Sequence, residues 1–137
     1  MDATKFMLHV CRLTLGQDLK SELLNLCHQH KIKAGAIISS VGCLKNLHLR
    51  LAGGSTYLQR EGDFEIISLN GTLSQYGAHL HLSVADNHGH CLGGHLLDGC
   101  LINTTAEIVV IEFKDVLFKR EFDAATGYKE LVVEHLR

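Results

Sequence analysis

The sequence predicts an α+β fold: a curved, largely antiparallel β-sheet with one main α-helix packed against it. Three observations predict it. Only one stretch, just after Asp18, carries apolar residues at helical spacing. From Lys33 almost to the C-terminus the pattern is strand-like, in short segments separated by turn residues. The chain has no proline, so Gly, Asn and Asp must make those turns.

Phe6 to Leu15 alternates well enough for an opening strand. Asp18 is placed to cap the helix that follows, whose buried face would carry Leu19, Leu23, Leu26 and Cys27. His28 and His30 fall near its end, where protonated imidazoles complement the helix dipole. Ala34 to Val41 is a short apolar run, which predicts a strand buried on both faces. Leu47-His48-Leu49-Arg50-Leu51 alternates strictly, so one of its faces belongs to the core. Phe64 to Leu69 and Gly71 to Leu73 form another strand, bent where Asn70-Gly71 intervenes. Ala106 to Phe113 is rich in β-branched residues. Val116 to Phe122, the turn Asp123 to Gly127 and Tyr128 to Val133 read as a closing hairpin.

Residues 79 to 97 hold the strongest local signal. His79 to Ala85 alternates, with Leu80, Leu82 and Val84 on one face. Asp86 to His90 suits a three-residue hairpin loop ending in a left-handed glycine. That loop sets Asp86 opposite His90, Ala85 opposite Cys91, Ser83 opposite Gly93 and His81 opposite His95. One face then carries Leu80, Leu82, Val84, Leu92 and Leu96, and the other His79, His81, Ser83, Gly93 and His95. Opposed Cβ atoms lie roughly 4.5–5.5 Å apart, close enough for three imidazoles to converge on one ion. Three neutral nitrogens with an open fourth position is the pattern of a catalytic zinc site. Gly93 would leave room beside it. A two-residue turn would shift the register and send His95 to the core face. The plainer alternative is solvated or hydrogen-bonded sheet histidines. His88 and His90 read as turn residues. Glu107, in an otherwise apolar stretch, would orient a histidine or act as general acid/base, or else sit in a surface or interface salt bridge.

Composition bounds the function classes. A chain of 137 residues with 46% apolar and 20% charged residues fits one compact domain over 1–137 and excludes disorder. A formal net charge of −2 gives no global basic field for nucleic acid. Lys31, Lys33, Lys45 and Arg50 would make at most a modest patch. The longest apolar runs are too short to span a bilayer. The N-terminus lacks the features of a signal peptide. The five cysteines are scattered and odd in number, which reads as reduced, mostly buried thiols in a cytoplasmic protein.

Gly62-Asp63-Phe64-Glu65-Ile66-Ile67, His79 to Ala85, Gly93-Gly94-His95-Leu96-Leu97 and Thr105-Ala106-Glu107-Ile108 together resemble, in order, the prokaryotic branch of the PPC domain (plants and prokaryotes conserved). The resemblance runs from about residue 5 to residue 134. It implies the same α+β fold, assembly as a homotrimer, and a fold similar to acetolactate decarboxylase, which binds zinc through three histidines. His79, His81 and His95 are, by the same resemblance, the candidate ligands for Zn2+ or another divalent metal. It also implies a DNA-binding or regulatory role, since prokaryotic members commonly carry that label, or partner-protein binding through Gly62 to Ile67. Two departures stand out: the chain has no Arg-Gly-Arg-Pro AT-hook core, and Asp63 stands where the plant segment has arginine. Three functions are therefore expected in competition. They are a trimeric metal protein, possessed or not of a lyase-like small-molecule activity; a DNA-binding protein; and a trimeric interaction scaffold.

Overall fold

The computed structural model describes residues 5–136. Its strands and helix follow in the order β1 (Phe6–Thr14), α1 (Leu19–Gln29), β2 (Gly35–Arg50), β3 (Tyr57–Ser74), β4 (Gly77–Ala85), β5 (Cys91–Leu96), β6 (Ile102–Phe113), β7 (Val116–Asp123) and β8 (Tyr128–His135). Six strands form an antiparallel sheet in the order β1-β6-β2-β3-β4-β5. β5 also returns to the end of β2, pairing Leu49 with Leu96 and Arg50 with His95. That second pairing curls β2 through β5 round on themselves. β7 and β8 make a separate two-stranded sheet. The α+β architecture is therefore the one the sequence predicts.

The core lies between α1 and the concave side of the sheet. Leu19, Leu23 and Cys27 of the helix are fully buried with Leu44, Leu49, Leu80, Leu82, Val84, Leu96, Ile102 and Ile108. Each such aliphatic side chain contributes about 1.5–3 kcal/mol by leaving water. Asp18 caps the helix as expected: its Oδ1 accepts from the Ser21 N–H at 3.0 Å. At the other end His30 is the C-cap, and its ring lies 4.8 Å from that of His9. His9 in turn bonds the buried Glu112 carboxylate at 2.7 Å, whose other oxygen accepts from Lys114 Nζ at 2.8 Å. Burial works against ionisation of Glu112, but these two donors outweigh it and hold the carboxyl below its ordinary pKa.

Several elements differ from the sequence reading. The stretches expected as two strands, Ala34–Val41 and Leu47–Leu51, fall, apart from their end residues Ala34 and Leu51, in one sixteen-residue strand, Gly35–Arg50, with register shifts between Ile37 and Ser39 and between Leu44 and Asn46. Each bulge changes the phase of alternation, so one strand reads as two. The first part is not buried on both faces, because Ile38 and Val41 are each 55% exposed. β3 begins seven residues before Phe64, in the polar stretch Tyr57 to Asp63, which carries no apolar period. Its pairing with β4 is irregular between Ile66 and Ser68 and runs in register through Gly71 (φ +145°), where an added Cβ would collide with the His79 carbonyl oxygen. All five cysteines are free, but only Cys27 and Cys100 are buried. Among the described residues no helix is long and apolar enough to cross a membrane.

Candidate metal centre

The β4–β5 hairpin has the register derived from its loop. His81 pairs with His95, Leu82 with Gly94, Ser83 with Gly93 and Ala85 with Cys91. The loop itself explains why. Gly89 takes a left-handed φ of +79°, its N–H donates to the Asp86 carbonyl at 2.9 Å, and the Asp86 N–H donates to His90 O at 2.9 Å. Asp86 Oδ1 also accepts from the backbone N–H groups of His88 and His90, both at 2.9 Å. Those bonds hold the Asp86 carboxyl below its ordinary pKa. Loop chemistry thus decides which face each histidine takes.

His79, His81 and His95 come together with one nitrogen from each within 4.8 Å of the others. Their ring centroids are 5.0, 5.2 and 5.7 Å apart, close to an equilateral triangle. Nε2 of His79 and Nε2 of His81 are separated by 3.2 Å. Two ligands at a Zn–N distance of about 2.0–2.1 Å in a tetrahedron are separated by roughly 3.3 Å, so this pair already has the span of a tetrahedral edge. Nδ1 of His95 is buried and has no hydrogen-bond partner, a costly state for a polar atom that a ligand would relieve. Partial burial, His81 and Arg120 lower the pKa of His79, against a smaller opposing effect of Glu130. Burial, Arg50 and His79 lower that of His95 to about 4. Both rings are therefore neutral at pH 7, as metal ligation requires. The residues present fit a divalent cation.

Other expected site residues fall out differently. Gly93 and Gly94 do border an open cavity with His81, His95 and Arg50. Their lack of a side chain answers a tighter demand, however. A Cβ on Gly93 would approach the Leu82 carbonyl to 2.8 Å, and one on Gly94 the Arg50 carbonyl to 2.7 Å. Glu107 is on β6, opposite Arg12 of β1 and Val41 of β2, and lines a separate depression with Val10 and Ser39. Within the chain it does not reach the histidines.

Residues that the sequence reading did not connect to the site come from β2 and the closing hairpin. Arg50 lies opposite His95 through the β2–β5 pairing and borders a cavity with His79 and His95. Its guanidinium carbon is 5.3 Å from the centroid of the Tyr128 ring. Arg120 of β7 donates through Nη2 to Thr72 Oγ1 at 2.8 Å, and Thr72 pairs with His79. Glu130 of β8 is the carboxylate that borders the same cavity as His79 and His95. No local spacing signals these neighbours.

Comparison with known proteins places this architecture. A family model for the Plants and Prokaryotes Conserved (PCC) domain matches residues 2–114. Over 123 residues the chain is 47% identical to the bifunctional protein GlmU of Synechococcus sp. (strain JA-3-3Ab), covering 90% of this chain but 20% of that protein. It is 32% identical over 121 residues to AT-hook motif nuclear-localized protein 13 of Arabidopsis thaliana, covering 79% of this chain and 27% of that one. The chain thus spans less than a third of the length of these relatives. A hypothetical protein from Salmonella enterica has the same structure with a TM-score of 0.93 at 39% identity, over 98% of this chain and 97% of that one. A metal-containing protein from Archaeoglobus fulgidus shares the fold at TM-score 0.78 and 24% identity, over 96% and 99% of the two chains.

Proposed function

The chain belongs to the Plants and Prokaryotes Conserved (PCC) domain family, and on that premise we propose that it is a metal-binding homotrimer whose chemical centre is His79, His81 and His95. One observation carries the reading: three imidazoles converge with one nitrogen from each within 4.8 Å of the others, Nε2 of His79 and Nε2 of His81 lie 3.2 Å apart, and His95 Nδ1 is buried without a partner. Zinc suits three nitrogen ligands with a fourth position left for water or substrate. Such an ion supplies Lewis-acid chemistry, polarising a bound oxygen or lowering the pKa of a water. What this chain's own residues do is separate from that. Burial, with Arg50 beside His95 and Arg120 beside His79, holds these two imidazoles below their ordinary pKa, and the β7–β8 hairpin borders the cavity with Tyr128 and Glu130. If the centre is catalytic, Glu130, which borders the same cavity as His79 and His95, is the candidate proton carrier.

The trimer is supported by an apolar sheet face left open on the single chain. Val10 is 74% exposed, Leu8 51% and Val41 55%, and a second copy would cover them. Elemental analysis of purified protein tests the metal. Wild type should hold about one ion per chain and His81→Ala essentially none; retained metal in His81→Ala would sink the proposal.

A DNA contact is the reading that the plant relatives' AT-hook name suggests, but the chain lacks an Arg-Gly-Arg-Pro core and has a formal net charge of −2. Phosphate contacts would give affinity that falls steeply with salt. Absence of a duplex shift at low salt would remove that reading. Partner binding through Gly62 to Ile67 has a narrower surface than the segment suggests. Phe64 and Ile66 are core residues, which leaves Asp63, Glu65 and Ile67 facing outward.

A further inference from the structure

His79 and His95 form part of the wall of a cavity of about 390 Å³ that is also bordered by Arg50, Arg120, Lys129 and Glu130. Three cations against one carboxylate leave this wall positive before any metal is added. Both arginines are half-buried, and neither is in an ion pair among the described residues. The ion pairs among the described residues are His9–Glu112, His90–Asp86, Lys114–Glu112 and Lys119–Glu134. Each arginine is instead held in place by a neutral contact: Arg50 against the Tyr128 ring, Arg120 by its bond to Thr72. Positioned, partly desolvated guanidiniums without a directly paired carboxylate gain from an anion that completes them. Partial burial lowers the pKa of Arg120, and Glu130 only partly opposes it.

We propose that this cavity binds a small organic carboxylate, with Arg50 and Arg120 gripping the carboxylate and the histidine face receiving a second oxygen of the same molecule. The arginine part stands with or without a metal; the place of the second oxygen rests on the metal reading above. The planar guanidinium fork matches a carboxylate with two parallel hydrogen bonds. Phosphate is the other anion of similar chemistry. Phosphate sites typically draw on backbone N–H groups at helix N-termini or nests. The residues bordering this cavity come from strands and their connections, and the cap of α1 at Asp18 is not among them. A cavity of this volume is at the small end of ligand pockets, roughly 300–1,000 Å³.

Calorimetric titration with pyruvate as the carboxylate probe, and with inorganic phosphate, tests the proposal on metal-free and zinc-loaded protein. Arg50→Gln and Arg120→Gln should each weaken pyruvate binding to the metal-free protein at least tenfold while elemental analysis after loading at saturating zinc still shows about one ion per chain. Zinc should tighten pyruvate binding in wild type and leave it unchanged in His81→Ala. Arg50→Lys and Arg120→Lys, which keep the charge and lose the fork, replace either Gln variant that does not fold, and should also weaken binding severalfold. Pyruvate binding that is absent from wild type, indifferent to both arginines, or weaker than phosphate binding overturns the proposal. Full metal retention in His81→Ala would instead overturn the metal reading, leaving arginine-dependent pyruvate binding to stand or fall in the metal-free titration.

Discussion

Replacing Leu82 by alanine, beside a parallel His81→Ala, separates the two faces of β4 by a measurement. Leu82 is 2% exposed, and Leu80 and Val84 flank it on the core side, whereas His81 is exposed. Leu82→Ala removes three carbons from a core position between fixed strands, where collapse is restricted. A cost of about 3 kcal/mol is expected, inside the 2–5 kcal/mol range of such changes. With an unfolding entropy of roughly 0.3 kcal/mol per kelvin for a chain of 137 residues, Tm falls by about 10 °C. His81→Ala removes a side chain whose neighbours are two other histidines and solvent. In the metal-free protein it should cost no more than about 0.5 kcal/mol. Urea and thermal denaturation of both variants at one fixed protein concentration, without metal, give the comparison; concentration is held constant because association adds to stability. Metal content gives the converse, with Leu82→Ala retaining the ion at low temperature and His81→Ala losing it. A Leu82→Ala cost below about 1 kcal/mol, or an equal cost for the two variants without metal, would refute the assignment of faces.

Two further outcomes follow from the ionisable groups. Burial and neighbouring positive charge hold His95 at about 4, below its ordinary 6.5, so at pH 5.5 its ring in the metal-free protein should be roughly 97% neutral, against roughly 9% for an unperturbed imidazole. Between those two values the unfolded chain binds the extra proton, so this residue makes metal-free stability fall as pH drops through the window. NMR titration of the ring decides it, and titration near 6.5 would contradict the burial argument. Thiol labelling should separate the cysteines: exposed Cys91 reacts in the native state, whereas Cys27, pushed up to about 12 by burial, and Cys100, pushed up to about 11, wait for unfolding. Native labelling of Cys27 as fast as Cys91 would overturn the packing of α1 described here.

Much of the fold was legible because its signals are local. Asp18 caps α1 through a bond three residues away, and Gly89 sets the β4–β5 loop through bonds within five residues. The histidine triangle was legible for the same reason, since a loop type and a two-residue period fix which side chains share a face. Where the reading failed, the cause was a change of phase or a distant partner. The bulges in β2 broke one strand into two apparent ones, and the polar start of β3 has no period to read. For Glu107 the sequence left two roles open, proton transfer and a surface or interface salt bridge; sheet order sets it opposite Arg12, on the far side of β2 from β4.

By itself, then, the sequence determined the helix, the hairpin register and the convergence of His79, His81 and His95, because each depends on hydrogen bonds between residues close in the chain. Only the tertiary structure decided what surrounds them. Arg50 meets His95 because β2 pairs with β5 across forty-five residues of chain, and Arg120, Tyr128 and Glu130 arrive with a hairpin folded back from the C-terminal end. Such pairings are set by how the whole sheet curls to bury its core. No spacing within a segment records that choice, and with it the structure turned three histidines into one wall of a charged cavity.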